Sequence, residues 1–275
     1  MPPPVSTALR IHPSPVARTS HPRAPGEGLG ESANSVLGKA RLILEAFEME
    51  DDDLSLSELA RRTGIAKASV HRLAGELLEW GVLERSGCSY RLGMRVFELG
   101  ARVPRMRILR EAVRPFMEDL HAATKETVHL AVRDGLDVLY IEKVTARGQQ
   151  TRPSRVAGRM PLYCTATGKV LLAFGPPDLL PELVSHGLER ITRATVVWPQ
   201  LLVDQARKTR QTGFAVEREE TVNGYLSVAV PLYGASGMTI AALSVTAPTF
   251  RADVPRYSNA LLAVSRKLQA AQLLN

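Results

Sequence analysis

Residues 54–93 read "LSLSELARRTGIAKASVHRLAGELLEWGVLERSGCSYRLG". Leu59 and Ala60 give the apolar side of a short helix. Ser57 is the expected N-cap, and Glu58 sits in the first turn beside the positive end of the helix dipole. Gly64 breaks that helix. A second helix is predicted from Lys67 to about Trp80, with Val70, Leu73, Leu77 and Leu78 turned inward. Gly81 ends it as a residue free to adopt positive φ. "VLERSGCSYRLG" then predicts two short strands around a Ser-Gly turn. Two helices joined by a short Gly-containing turn, followed by a hairpin, make a winged helix-turn-helix.

The charge on this unit is one-sided. Arg61, Arg62, Lys67 and Arg72 fall between Leu59 and Gly75 with no acid among them. In a helix-turn-helix the second helix lies in the major groove with its first residues facing base edges. The candidate contacts are therefore Arg62, Lys67, Ser69, Val70, His71 and Arg72. Arg85 and Arg91 on the wing are placed to reach the sugar-phosphate backbone. Lysine, serine, histidine and arginine all donate to bases or phosphates, and Ala66 and Ala68 are small enough for close approach. From Arg85 to Arg107 there are six arginines and one acid, Glu98. The whole chain of 275 residues carries a formal charge of +7, a balance that favours polyanions. Double-stranded operator DNA is the expected partner. A winged helix used only for protein contacts is the competing reading, and the acid-free second helix argues against it.

Outward from this unit, residues 1–32 read as a disordered tail, because seven prolines deny it regular backbone hydrogen bonding. A helix is expected from about Ser35 to Met49, completing a DNA-binding domain over 33–95. Residues 96–124 read as a linker helix interrupted near Pro104. From 125 to 275 the pattern becomes α+β. "TVHLAVRDGLDVLYIEKV" predicts two alternating strands around an Asp-Gly turn. "TATGKVLLAF" predicts a helix opened by Thr165, and "WPQLLVDQARKTRQTG" an amphipathic helix stopped by Gly213. "GYLSVAVPLYGASGMTIAALSVTAP" predicts a second strand pair, and the chain closes on a helix. The expected fold is an antiparallel sheet flanked by helices.

Several classes of function find no support. Two cysteines, Cys88 and Cys164, make no disulfide framework and fit a reduced cytoplasm. No stretch approaches the roughly 20 apolar residues of a membrane span, and no secretory signal is evident. No membrane partner and no cofactor are expected. "HExxH", "CxxC" and serine-elbow motifs are absent. "ATGKV" ends like a phosphate loop but has Tyr163 where the first Gly belongs and Val170 after the Lys. His121, His129 and His186 are scattered, without metal spacing. The expectation is a protein that is not an enzyme.

The stretch 54–93 closely resembles the DNA-binding half of IclR-type bacterial transcriptional regulators. "GRMPLYCTATGKVLLA" and "GFAVEREETVNGYLSVAVPLYGASGMTIAALSVTAP" resemble that family's ligand-binding half. The resemblance covers about residues 35–272. It implies a winged helix-turn-helix, a linker helix and a GAF-like effector domain, working as a homodimer or homotetramer on imperfect palindromes. It also implies a small-molecule effector, a carboxylate, near the helix start at Ala166 and Thr167. Glu217, Ser227, Ser244 and Thr246 would hold it, with Met160 and Tyr225 as apolar wall. Three departures qualify the match: Glu217 stands where the family often has Asp, Ser227 where it often has Cys, and Tyr163 where it usually has His. The last would add a phenol near the cavity mouth. Two alternative readings stay open: a DNA-binding oligomer whose C-terminal domain only dimerises, and a small-molecule enzyme.

Overall fold

Ser35 opens the first helix, α1 (Val36–Glu45), its Oγ accepting the Gly38 amide at 2.9 Å. The structure is a computed structural model and describes residues 34–48, 51–146 and 155–274. The Pro-rich tail expected over 1–32 lies outside the described residues. α1 stops at Glu45 rather than near Met49. The next helix, α2 (Leu56–Thr63), is capped by Ser55, whose Oγ accepts the Glu58 amide at 3.2 Å. Ser57, the expected cap, is already inside the helix. A two-residue strand, β1 (Leu54–Ser55), brings the chain into the cap two residues earlier than the sequence suggests.

Gly64 ends α2 at φ 68°, in the left-handed region that a side chain disfavours. α3 (Lys67–Glu79) follows and closes in a Schellman arrangement: Val82 N–H donates to the Leu77 carbonyl at 3.0 Å and Gly81 N–H to Leu78 at 2.9 Å. The wing is β2 (Leu83–Ser86) and β3 (Ser89–Leu92). Ser86 faces Ser89, so the turn is Gly87-Cys88 rather than Ser-Gly. β1 pairs with β3 to give a three-stranded sheet, order β1-β3-β2. Ile43, Leu59, Leu73 and Tyr90 bury almost completely in the core beneath it.

The stretch read as one interrupted linker is two helices, α4 (Met94–Ala101) and α5 (Pro104–Thr124). Pro104 forces the break, since a residue before proline is pushed out of the helical region, and Pro104 itself suits the first turn of α5. The chain divides into two compact units between Arg107 and Ile108, inside α5. α4 buries none of its residues. The later turns of α5 bury Leu109, Val113, Met117 and Leu120 within the second unit.

That unit is built on a six-stranded antiparallel sheet of order β6-β5-β4-β9-β8-β7. The strands are β4 (Thr127–Asp134), β5 (Asp137–Val144), β6 (Arg159–Pro161), β7 (Ala215–Arg218), β8 (Tyr225–Tyr233) and β9 (Thr239–Pro248). α6 (Ala166–Ala173) lies across the sheet, packed on β4, β5, β7, β8 and β9. The sheet meets it with small side chains, Ala131, Ala229 and Ala242, so the helix approaches closely. α7 (Leu179–Ser185) and α8 (Pro199–Thr212) follow, and α8 stops at Gly213 with φ 79°. α9 (Val254–Ala270) packs along β8 and β9. Strand alternation then sorts the sheet: Val228, Val230, Leu243 and Val245 point one way, and Ser227, Ser244 and Thr246 the other.

Candidate functional site

On the first unit, Lys67, His71 and Arg72 are exposed at the start and first turns of α3, and Arg85 and Arg91 are exposed on the wing. Ser69 is half-buried. Lys67 Nζ donates to Ser57 Oγ at 2.8 Å, bridging α2 and α3. Arg72 pairs with Glu76 one turn on, and Arg91 with Glu84 at 3.0 Å. Both pairs are largely solvated and so weak, and either guanidinium can exchange its partner for phosphate at little cost. Arg85 lies 4.5 Å over the Tyr90 ring.

Two residues expected on this surface are elsewhere. Val70 is fully buried, because helical period turns it with Leu73 and Leu77 into the core. Arg62 is held inside the domain. Its guanidinium donates to Asp51 at 2.5 Å, to Glu58 at 2.8 Å and to the Ala46 carbonyl at 2.9 Å. Asp51, from the acidic run after α1, therefore anchors that run to α2. The guanidiniums of Arg61 and Arg62 hold the Glu58 carboxyl down at about 2, so it stays ionised throughout the neutral range.

On the second unit, every strand of the large sheet and the start of α6 contribute to one cavity of about 40 Å³. The eight residues that the sequence nominates, Met160, Ala166, Thr167, Glu217, Tyr225, Ser227, Ser244 and Thr246, all lie on its wall. Sheet register explains their convergence. Glu217 faces Ser227 across β7 and β8, and Ser227 faces Thr246 across β8 and β9. One step along, Ser244 faces Ala229 on one side and His129 on the other. Five further residues line the cavity without having been nominated: His129, Tyr140, Thr165, Thr221 and Val222. His129 and Tyr140 were legible in principle, since alternation along β4 and β5 puts them on the same face. Thr221 and Val222 belong to the β7–β8 connection, whose path no periodicity encodes.

Thr165 caps α6, accepting the Gly168 amide at 3.0 Å and donating to the Pro161 carbonyl at 3.2 Å. Ala166 and Thr167 are left with N–H groups that have no acceptor within the helix. Gly168 has no alternative: a Cβ there would stand 2.1 Å from the Leu162 carbonyl oxygen. Ser227 Oγ and Thr246 Oγ1 share a hydrogen bond of 2.9 Å, and Thr246 Oγ1 lies 3.5 Å from His129 Nδ1. Tyr140 OH is 3.5 Å from Thr167 Oγ1. Ser244, only 2% exposed, makes no hydrogen bond through its Oγ among the described residues.

Glu217 is the one carboxyl on the wall and is 2% exposed. Burial pushes it up to about 7, against the backbone amides of Glu220 and Thr221, which donate to Oε1 at 2.6 and 3.3 Å. Its other oxygen, Oε2, has no partner among the described residues. Behind the wall, Lys169 of α6 is buried in an ion pair with Glu220. The second Glu220 oxygen accepts the Val196 amide at 3.2 Å. This pair fixes the Glu220 loop against α6.

Two family models match the chain: "IclR helix-turn-helix domain" over residues 36–87 and "Bacterial transcriptional regulator IclR C-terminal" over 101–270. The chain belongs to the IclR family of bacterial transcriptional regulators. Among its IclR relatives, the Escherichia coli regulator KdgR is 33% identical over 247 residues, covering 87% of this chain and 93% of that one. The E. coli regulator XynR is 31% identical, covering 84% and 95%. An IclR homologue from Microbacterium hydrocarbonoxydans, solved with 4-hydroxybenzoate, superposes with a TM-score of 0.81 at 27% identity, covering 88% of this chain and all of that one. The Thermotoga maritima IclR does so with 0.69 at 31% identity, covering 85% and 98%.

As an IclR regulator the chain is a DNA-binding protein, and the helix-turn-helix match spans the unit that carries the cationic face. Tyr163 does not extend the cavity. Its hydroxyl donates to the Glu189 carbonyl at 2.7 Å and its ring is buried in the core, so its phenol does not line the cavity. Cys164 is fully buried and burial raises its pKa, which leaves the thiol protonated and inert. Cys88 is exposed at the wing turn. Among the described residues no cluster of side chains fits a metal ion, and no helix is long and apolar enough to cross a membrane.

Proposed function

We propose that this IclR-family regulator holds double-stranded operator DNA through Lys67, Ser69, His71 and Arg72 on α3 and Arg85 and Arg91 on the wing. It acts in the cytoplasm as a homodimer or homotetramer, and a small carboxylate in the cavity of the second unit controls its grip on the operator. The observation that carries the effector half is the cavity wall. Residues from six strands and one helix start meet there, and Ser244 Oγ and Glu217 Oε2 are left without partners. The 4-hydroxybenzoate held by the Microbacterium relative supports a small organic acid as the occupant.

The ligand is compact and two-ended. Its carboxylate meets the free amides of Ala166 and Thr167, and a hydroxyl, keto hydrate or amine donates to Glu217, with Ser227, Ser244 and Thr246 between. Met160 and Tyr225 supply apolar wall. The ligand acts by binding one arrangement of the DNA-binding units more tightly than the other. Turnover has no support in the buried Cys164 thiol, which burial keeps protonated. A panel of small organic acids, read by gel shift on operator DNA, tests the scheme. The expected result is that Glu217→Leu combined with Ser227→Ala keeps operator binding and loses the ligand response. An unchanged response in that double variant places the effector elsewhere.

A further inference from the structure

The cavity has an electrostatic conflict. Its helix start attracts an anion through the unshared amides of Ala166 and Thr167. Its wall also carries a carboxyl, Glu217, in the same space of about 40 Å³. No lysine or arginine lines the cavity among the described residues. The nearest buried cation, Lys169, is taken by Glu220 behind the wall. Two ionised carboxylates in one cavity repel, and burial of Glu217 limits the solvent that screens them. Paired carboxyls in such sites relieve the conflict by sharing one proton.

Resting on the reading of this cavity as the effector site, we propose that it takes a small monocarboxylate together with one proton, held between the ligand and Glu217 Oε2, and discriminates against dicarboxylates. The proton comes from solvent and no covalent bond to carbon changes. Oε2 is the oxygen that the fold leaves free, since Oε1 is occupied by the Glu220 and Thr221 amides. Ser244 Oγ, on the same wall, is available to donate to the ligand. A second carboxylate on the ligand would bring a further charge to a wall that holds no lysine or arginine among the described residues.

The groups that face Glu217 set the direction of the effect. Burial raises it to about 7; Glu220 on the β7–β8 connection adds to the rise and Lys169 on α6 opposes it. Cys164 before α6 and Tyr140 on β5 are both pushed up by burial, so they stay neutral. His129 on β4 and Tyr225 on β8 complete the titratable wall. A bound anion raises Glu217 further. Affinity is then highest below about 7 and falls as pH rises through that value, while the bound state keeps its proton.

The test is calorimetry on the full chain with lactate, pyruvate, 4-hydroxybenzoate and succinate, in two buffers of different ionisation heat. Expected is a dissociation constant for at least one monocarboxylate that rises about tenfold from about pH 6 to about pH 8. Proton uptake should approach one per site at the higher pH, and succinate should bind more weakly. Glu217→Gln should flatten the pH profile and abolish the uptake. Equal affinity across the pH range, no uptake, or a profile kept with Glu217→Gln overturns the proton coupling alone. Tighter binding of succinate overturns the selectivity. Failure of all four acids to bind at any pH overturns the site reading on which the proposal rests. The buffer comparison on the unmodified chain decides the matter even if a variant fails to fold.

Discussion

Arg62 and Arg72 are both arginines on a charged stretch, and the sequence offers no means of telling them apart. The structure separates them by partner. Arg62 meets three acceptors, two of them carboxylates from different elements, with its side chain only 24% exposed. Arg72 meets one neighbour on its own helix and is 61% exposed. The two should therefore fail differently. Arg62→Ala should lower the stability of the first unit by on the order of 1 kcal/mol, since it strands Asp51 and frees the connection after α1. Arg72→Ala should leave the melting temperature nearly unchanged and weaken operator binding, by about 1–3 kcal/mol of discrimination if it reads a base. Thermal melts and gel shifts on operator and random DNA separate the cases. A stable Arg62→Ala with impaired DNA binding would return Arg62 to the DNA face. Charge count hid this distinction because Asp51 lies eleven positions away and only the fold joins it to Arg62.

Elements differ in how plainly the sequence encodes them. α6, α8 and the two long hairpins follow from a cap, a stop glycine and alternation, and all four stand where those signals put them. β1, β6 and β7 are two to four residues long, too short for any period to register, yet β7 delivers Glu217 and β6 delivers Met160 to the cavity. Those two residues were reached through family resemblance, not through a legible strand. Val70 shows the opposite failure: its period was read correctly as core, while its place in the motif suggested a surface. The start of α6 is fixed most tightly. Gly168→Ala would press a methyl against the Leu162 carbonyl, and backbone cannot yield there without moving the helix from the sheet. Such overpacking costs about 1–3 kcal/mol or more, and it should tilt the amides of Ala166 and Thr167 away from the cavity. The measurement is effector affinity by calorimetry beside a melting curve. A variant that binds ligand as the parent does would show that the helix start plays no part in anion binding.

At the scale of the whole molecule, one recognition helix reads too few base pairs to find an operator, so specificity requires at least two copies. The first unit carries exposed apolar side chains: Met94 is 64% and Phe97 71% exposed on α4, and Leu37 is 83% exposed on α1. Helices with such faces are rarely left to water. A twofold pairing buries the same face on both copies and sets two recognition helices one turn of the duplex apart, which matches a palindromic operator. The prediction is a dimer or tetramer in light scattering at micromolar concentration, with footprints over two half-sites about 10 base pairs apart centre to centre, or a multiple of that. Replacing both Met94 and Phe97 by Glu should shift the population toward smaller species and cut operator affinity by at least ~10-fold, as the second half-site is lost. Affinity for random DNA should change far less, because each copy keeps its own phosphate contacts. A parent chain that stays monomeric and protects a single half-site would refute the pairing outright. A double variant that remains fully oligomeric and fully specific would move the pairing surface away from α4.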